Sequence, residues 1–272
     1  MNIITLTSDL GYRDPYLALV KAKLLSGPVK PSLIDLSCDL KSNSIIHASF
    51  ILKNALPAFP DGTIHLAAIK VMASRSGLNK EMAADNSRFL LAKYQNQFIV
   101  CPDNGLLALI DENIQNDIYQ IYYEGEHKQH FFLKDVFADV ALHVLEGKPL
   151  ADIATPTNEF YRATQFDSYV NGNLLRGKGI YVDDFGNIIC NITREKFYTV
   201  VGNKNFRIAL PGAALTQISQ TYEEVKYGSA LVLFNSFGYL EVAVHGGSAY
   251  KMLCPRDIGA TFDFNLIVEF YD

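Results

Sequence analysis

The sequence predicts an α/β N-terminal half with a mostly parallel sheet, followed by an all-β C-terminal half closed as a barrel. Three observations carry this reading. Short apolar runs alternate with helix-like stripes up to about residue 145. Beyond about residue 165, strand-like runs follow one another without convincing amphipathic helices. The chain has 272 residues, which is near the limit that one hydrophobic core organises, so two domains fit better than one. The expected division is 1–165 for the α/β part and 166–272 for the barrel. The join lies in the polar stretch Ala151–Asn173 around Pro156.

In order along the chain, Ile3–Thr7 is a buried strand that ends in the polar turn Ser8-Asp9-Leu10-Gly11. Asp14-Pro15 gives a helix start, with Asp as cap and Pro in the first turn. Leu19, Val20 and Leu24 follow at helical spacing, and Gly27-Pro28 stops the helix. Ser32–Leu36 is the second strand. Asn43-Ser44 caps a second helix, with Ile45, Ala48, Leu52 and Leu56 on its stripe. Thr63–Val71 is the third strand, and Met72–Ser87 reads as a loop. Arg88–Tyr94 and Gln97–Cys101 form a hairpin around Gln95-Asn96. Asp117–Tyr123 is a strand and Asp135–Leu145 a helix. Strand, helix, strand, helix, strand builds a largely parallel sheet covered by helices. The C-terminal strands are Gly179–Val182, Ile188–Ile192, Phe206–Leu210, Ala230–Phe234, Tyr239–Val244 and Phe262–Phe270.

Composition narrows the function. Hydrophobic residues make up 49% and charged residues 19% of the chain, which excludes intrinsic disorder. The net charge of -5 builds no positive field for nucleic acid. No apolar run reaches a membrane span. The N-terminus shows no basic segment or cleavage site of a secretory signal. Cys38, Cys101, Cys190 and Cys254 are scattered, as expected for thiols in a reducing cytoplasm. His127 and His130 form an HxxH without a neighbouring acid or third ligand, so no metal is expected. There is no GxGxxG and no GxxxxGK[ST].

The chemistry-bearing candidates are loops. Asp9 follows the first strand, where a parallel sheet places its ligand crevice, and its carboxylate can accept from a ribose diol. On this motif alone, the favoured reading is a turn cap. Pro102-Asp103-Asn104-Gly105 is strong turn chemistry. Asp183-Asp184-Phe185-Gly186-Asn187 groups acids, an aromatic plate and an amide, which suit a planar heterocycle as well as a hairpin. Asn235-Ser236-Phe237-Gly238 is a turn whose Ser236 and backbone N–H groups could hold a carboxylate.

Together these loops resemble the S-adenosyl-L-methionine hydroxide adenosyltransferases, relatives of the bacterial fluorinase and chlorinase. Thr5-Leu6-Thr7-Ser8-Asp9-Leu10-Gly11 with Asp14-Pro15-Tyr16 is similar to the family's TLTTDFG…DPY opening. Phe59–His65 resembles FPxGTVH, Pro102–Gly105 matches PDNG, and Lys134–Ala138 resembles the end of FHGRDVFAP. Asp183–Ile192 matches DxFGN…NI, and Asn235–Glu241 matches NSxGYLE. The likeness is collinear over nearly the whole chain. It implies an α/β domain, a C-terminal β-barrel and a homotrimer that binds its ligand between subunits. The implied ligand is S-adenosylmethionine or adenosine, with no further cofactor, and the implied reaction is cleavage by hydroxide to adenosine and methionine. Asp9 would hold the ribose hydroxyls, Phe185 and Asn187 the adenine with Asp183 nearby, and Ser236 the methionine carboxylate.

The family's hydrolytic members activate water with an Asp, an Arg and a His, and here the set departs. Lys70 stands at the Asp position of the family's DPGVG segment. Arg75 fits the Arg only with a short gap. Phe132 aligns with the His of FHG, while His130 lies two residues earlier, on the same face if the segment is a strand. A Lys near the cationic sulfonium adds repulsion of about 4 kcal/mol at ~4 Å and an effective dielectric near 20. Phe132 can offer a cation–π contact but moves no proton. The alternatives are a non-catalytic nucleoside-binding protein, or one in which Lys70 selects an anionic adenosine phosphate.

Overall fold

The computed structural model describes residues 2–40, 44–71, 88–122, 131–164, 167–254 and 263–272. The chain divides into two compact units, Met1–Thr164 and Gln165–Asp272.

The N-terminal unit is built on a seven-stranded sheet. Its strands are β1 (Ile3–Ser8), β2 (Ser32–Ser37), β3 (Ile64–Ala68), β4 (Phe89–Tyr94), β5 (Gln97–Pro102), β6 (Ile118–Ile121) and β7 (Ala154–Pro156), in the order β2-β1-β3-β5-β4-β6-β7. The four strands β2, β1, β3 and β5 run parallel, and β4, β6 and β7 continue the sheet antiparallel. The parallel core strands β1 and β3 are buried on both faces because both faces are covered. On β3, Ile64 and Leu66 enter one core while Ala67, and Ile69 just beyond the strand, enter the other. Helix α1 (Tyr16–Ser26) and helix α4 (Ala138–Leu145) close the first face with Leu17, Val20, Leu24 and Val140. Helix α2 (Ile45–Ala55) and the short α3 (Leu106–Ile110) close the second with Ala48, Leu52, Leu106 and Ile110.

The local signals account for most of these boundaries. Ser44 caps α2, its hydroxyl accepting from His47 N at 3.4 Å. Gln95 and Asn96 both take positive φ (49° and 60°), the geometry a two-residue hairpin turn needs to match strand twist. Helix α1 begins at Tyr16 with Pro15 as its N-cap and no side-chain cap bond. The expected helix over Asp135–Leu145 begins earlier, with one wide π-type turn over Leu133–Phe137 that runs into α4. The loop expected over Met72–Ser87 lies outside the described residues.

The C-terminal unit is an antiparallel barrel. Its strands are β8 (Tyr169–Asn171), β9 (Leu174–Val182), β10 (Ile188–Thr193), β11 (Asn205–Leu210), β12 (Ala213–Leu215), β13 (Ala230–Phe234), β14 (Tyr239–Val244) and β15 (Asn265–Tyr271). They follow the order β12-β11-β15-β9-β10-β14-β13, with β8 paired to β9. The end strands approach each other, and Ser219 N donates to Val232 O at 2.8 Å, so the barrel is nearly closed. Alternate residues fill it: Ile188, Cys190 and Ile192 from β10, and Leu240, Val242 and Val244 from β14.

Two helices stand where no helical stripe is read from the residues: α5 (Arg194–Val201) and α6 (Ala249–Leu253). Only Phe197 and Val201 of α5 are buried, an i,i+4 pair too short to register as a period. Tertiary packing decides it. Phe197 meets Phe206 at 5.3 Å and Phe234 at 5.5 Å between ring centroids. The start is nevertheless signalled by Thr193, whose hydroxyl accepts from Lys196 N at 3.2 Å. Thr193→Ala is therefore expected to lower the unfolding free energy by about 1 kcal/mol. Urea unfolding checks this, and an unchanged midpoint would show that packing alone holds α5.

Candidate functional site

In the N-terminal unit the carboxyl ends of the parallel strands meet. Asp9 is the first residue beyond β1, and Leu40 N donates to Ser8 O at 3.4 Å while Gly11 N donates to Cys38 O at 2.7 Å, tying this turn to the end of β2. The β1–β3 register pairs Ser8 with Ala68, so Asp9 comes level with Ile69 and Lys70. The Asp9 carboxylate accepts through Oδ2 from Lys70 N at 3.1 Å. Lys70 holds a left-handed φ of 53°, uncommon outside glycine, and its side chain is exposed.

The Pro102–Gly105 turn does more than reverse the chain. Asn104 Nδ2 donates to Ile69 O at 2.8 Å, and Asn104 Oδ1 accepts from Leu106 N at 3.2 Å. Asp103 is buried, accepts from Tyr161 N at 2.7 Å and faces Arg88 Nε at 3.5 Å. Gly105, at φ 96°, leaves room for Ala163, whose backbone N would lie 3.0 Å from an added Cβ. The turn therefore clasps the 157–164 segment on one side and the Ile69–Lys70 peptide on the other. Sequence reasoning found the turn but not these partners, which lie 35 and 58 residues away.

Phe132 belongs to the first core. It is 8% exposed and lies 5.0 Å from the Phe89 ring. Its backbone is helical (φ -52°, ψ -40°), so the strand-face relation expected between Phe132 and His130 does not apply at Phe132. On a helix, residues two apart do not face one another. Leu10 and Val71, beside Asp9 and Lys70, pack against this same core. Arg75, His127 and His130 lie outside the described residues.

In the C-terminal unit the 183–187 turn joins β9 to β10 and is held by its own first acid. Asp183 Oδ1 accepts from Asn187 N at 2.8 Å, and Asp183 Oδ2 accepts from Asn187 Nδ2 at 3.0 Å. One amide hydrogen of Asn187 is thus committed, and the residue is buried. Phe185, at the tip, is 81% exposed. Gly186, at φ 83°, packs on Ser248, and its carbonyl accepts from Tyr250 N at 2.9 Å.

Ser236 is exposed at the tip of the β13–β14 turn. Asn235 Oδ1 stiffens that turn by accepting from Phe237 N and Tyr239 N, both at 3.1 Å. The register pairs Ile188 with Val242 and Thr193 with Tyr239, so the two turns stand toward opposite ends of the β10–β14 pair. Between them lies Glu241, 3% exposed, which accepts from Tyr222 OH at 2.8 Å and from the Asn235 side chain. Burial pushes the Glu241 carboxyl above the ordinary carboxylate range, and the Asp183 charge adds to it against those two hydrogen bonds. Burial likewise raises the Tyr222 phenol, with Glu241 adding to the shift. Glu241 was not among the expected site residues. The signal for it was its place at the end of the Asn235–Glu241 segment, on the polar face of a strand that alternates.

Among known proteins, the SAM hydroxide adenosyltransferase N-terminal domain model matches residues 4–154, and the C-terminal domain model matches residues 177–256. The chain is 26% identical over 266 residues to an (R)-S-adenosyl-L-methionine hydrolase of Methanocaldococcus jannaschii, covering 93% of this chain and 92% of that protein. It is 27% identical over 269 residues to the protein of the same name in Thermus thermophilus, covering 93% and 96%. Its fold superposes on a conserved protein of Thermotoga maritima with a TM-score of 0.81, at 23% identity and covering 98% of this chain and 99% of that one. A conserved hypothetical protein of Thermus thermophilus gives a TM-score of 0.70 at 26% identity, with both chains covered completely. The α/β unit, the barrel and the collinear loops thus all lead to one statement: the chain belongs to the SAM hydroxide adenosyltransferase family.

Proposed function

We propose that this protein binds S-adenosyl-L-methionine by its adenosyl group and cleaves it with hydroxide to adenosine and methionine, slowly, because Lys70 stands where the family carries a carboxylate. The observation that carries the reading is the Asp9 carboxylate, fixed by the Lys70 N–H at the carboxyl edge of the parallel strands. In this reading Asp9 takes the ribose diol, Phe185 stacks on the adenine, Asn187 reads its edge with Asp183 behind it, and Ser236 takes the methionine carboxylate. The ligand lies between subunits of a homotrimer, which gives the exposed Phe185 ring a cover.

The exposed ammonium of Lys70 adds like charge near the sulfonium, so Lys70→Asp is expected to raise turnover at least tenfold. Asp tolerates the left-handed backbone at this position well. The experiment incubates purified protein with S-adenosylmethionine and measures adenosine and methionine for wild type and variant. Phe132→His is a poor companion, because it places a polar ring in the core beside Phe89. A second reading, a nucleoside-binding protein without hydrolysis, is favoured by that same burial of Phe132. Adenosine binding with no product from either form would establish it in place of the first.

A further inference from the structure

One peptide group joins two distant side chains. The carbonyl of Ile69 accepts from Asn104 Nδ2 at 2.8 Å, and the N–H of the same Ile69–Lys70 peptide donates to Asp9 Oδ2 at 3.1 Å. The order is amide, peptide, carboxylate, with every donor pointing the same way. Such chains polarise each bond in the direction of the next. Asn104 is itself fixed, since its Oδ1 accepts from Leu106 N. The peptide needs fixing because Lys70 holds φ 53°, a conformation that costs a non-glycine residue about 1 kcal/mol or more. Rotation of this peptide would relieve the strain and turn its N–H away from Asp9.

We propose that Asn104 is a positioning residue that sets the Asp9 carboxylate for a ribose diol through the Ile69–Lys70 peptide. This rests on the assignment of Asp9 to the ribose. It also gives the Lys70 position a role that its side chain does not determine: the backbone N–H orients Asp9 whichever side chain stands there. The exchange of an acid for Lys at residue 70 therefore leaves nucleoside recognition intact while changing the charge.

Asn104→Asp keeps an acceptor for Leu106 N but turns a charged oxygen toward Ile69 O, so Asn104→Ala, which removes the donor without adding charge, is measured beside it and must show the same pattern. Two readouts are needed. Titration calorimetry compares adenosine with 2′,3′-dideoxyadenosine, which lacks both hydroxyls. Asn104→Asp is expected to weaken adenosine about five- to tenfold, the value of one net hydrogen bond. The dideoxynucleoside should change less than twofold, and adding Asn104→Asp to Asp9→Ala should cause no further loss. Amide exchange at Lys70, followed by NMR, should quicken about tenfold in Asn104→Asp and also in Asp9→Ala. Equal weakening of both nucleosides would mean a general structural role and overturn the proposal, as would an unchanged Lys70 amide. If the wild type binds no adenosine, the ribose assignment fails, and the Lys70 amide alone then decides whether Asn104 positions Asp9.

Discussion

Lowering the pH from 7 to 4 is expected to remove about 3 kcal/mol of stability from the N-terminal unit through His65 alone. His65 sits on β3, fully buried. Its Nδ1 lies 2.7 Å from Thr5 Oγ1, and its Nε2 lies 3.0 Å from Gln97 Oε1. Gln97 spends its amide hydrogens on Leu56 O at 3.1 Å and Phe59 O at 2.7 Å, so its Oε1 accepts. That fixes the tautomer: Nε2 carries the hydrogen, and Nδ1 accepts from the Thr5 hydroxyl. The neutral ring is satisfied, and a second proton would put a charge in the sheet core. Burial accordingly lowers the His65 pKa from 6.5 to about 4.

The sign follows from proton binding. Between pH 6.5 and about 4 the unfolded chain holds this proton and the folded chain does not. Stability is therefore complete above pH 6.5, declines through that window, and stops declining from this source below about 4. Glu241, whose carboxyl is raised, and the other histidines also contribute to the slope between 6.5 and 5, so the difference between wild type and a His65 variant isolates this histidine. Urea unfolding across that range, with His65→Gln beside the wild type, is the measurement. The variant should lose that share of the slope. A His65 imidazole that titrates above pH 6 by NMR in the folded protein would sink the argument.

Gly186→Ala is expected to cost about 2–5 kcal/mol and, on the proposed function, to abolish nucleoside binding. Two independent terms add. At φ 83° an alanine bears a left-handed penalty of about 1–2 kcal/mol. The new Cβ would also fall onto Ser248, 2.7 Å from its Cβ and 3.2 Å from its Cα, with the hydroxyl nearer still. Overpacking of that kind costs about 1–3 kcal/mol. The turn cannot drift, because Gly186 N donates to Asp183 O at 3.0 Å and Gly186 O accepts from Tyr250 N. Ser248→Gly in the same chain removes the side-chain overlap but leaves the φ penalty. It loses little as a helix cap, although the Ser248 hydroxyl accepts from Lys251 N at 3.2 Å. The double variant should recover about half of the lost stability in urea unfolding. No recovery would mean that the backbone term dominates, and a wild-type midpoint for Gly186→Ala would mean that the turn is looser than described.

Much of this was legible in the chain. The apolar runs at Ile3–Thr7 and Thr63–Val71 announce strands buried on both faces, and β1 and β3 are those strands. Gln95 and Asn96 mark the β4–β5 hairpin, and Asp9 and Asn187 stand in turns whose residue types suit a ligand. Less was legible where a short contact with a distant element decides the structure. Helix α5 depends on Phe197 finding Phe206 and Phe234. The helical backbone of Phe132 comes from a wide turn that packs on the Phe89 ring, against the period-two reading of that segment.

Sequence by itself determined the fold class, the two-part grammar of the chain and the position of its tight turns. These depend on patterns within a few residues: apolar period, capping side chains, residues tolerant of positive φ. Only the tertiary structure decided which groups meet. Asp9 and Lys70 are 61 residues apart, Asn104 and Ile69 are 35 apart, and Glu241 lies between two turns of different hairpins. The physical reason is that strand order and register, set by burial over the whole sheet, choose which peptide N–H comes to face which carboxylate.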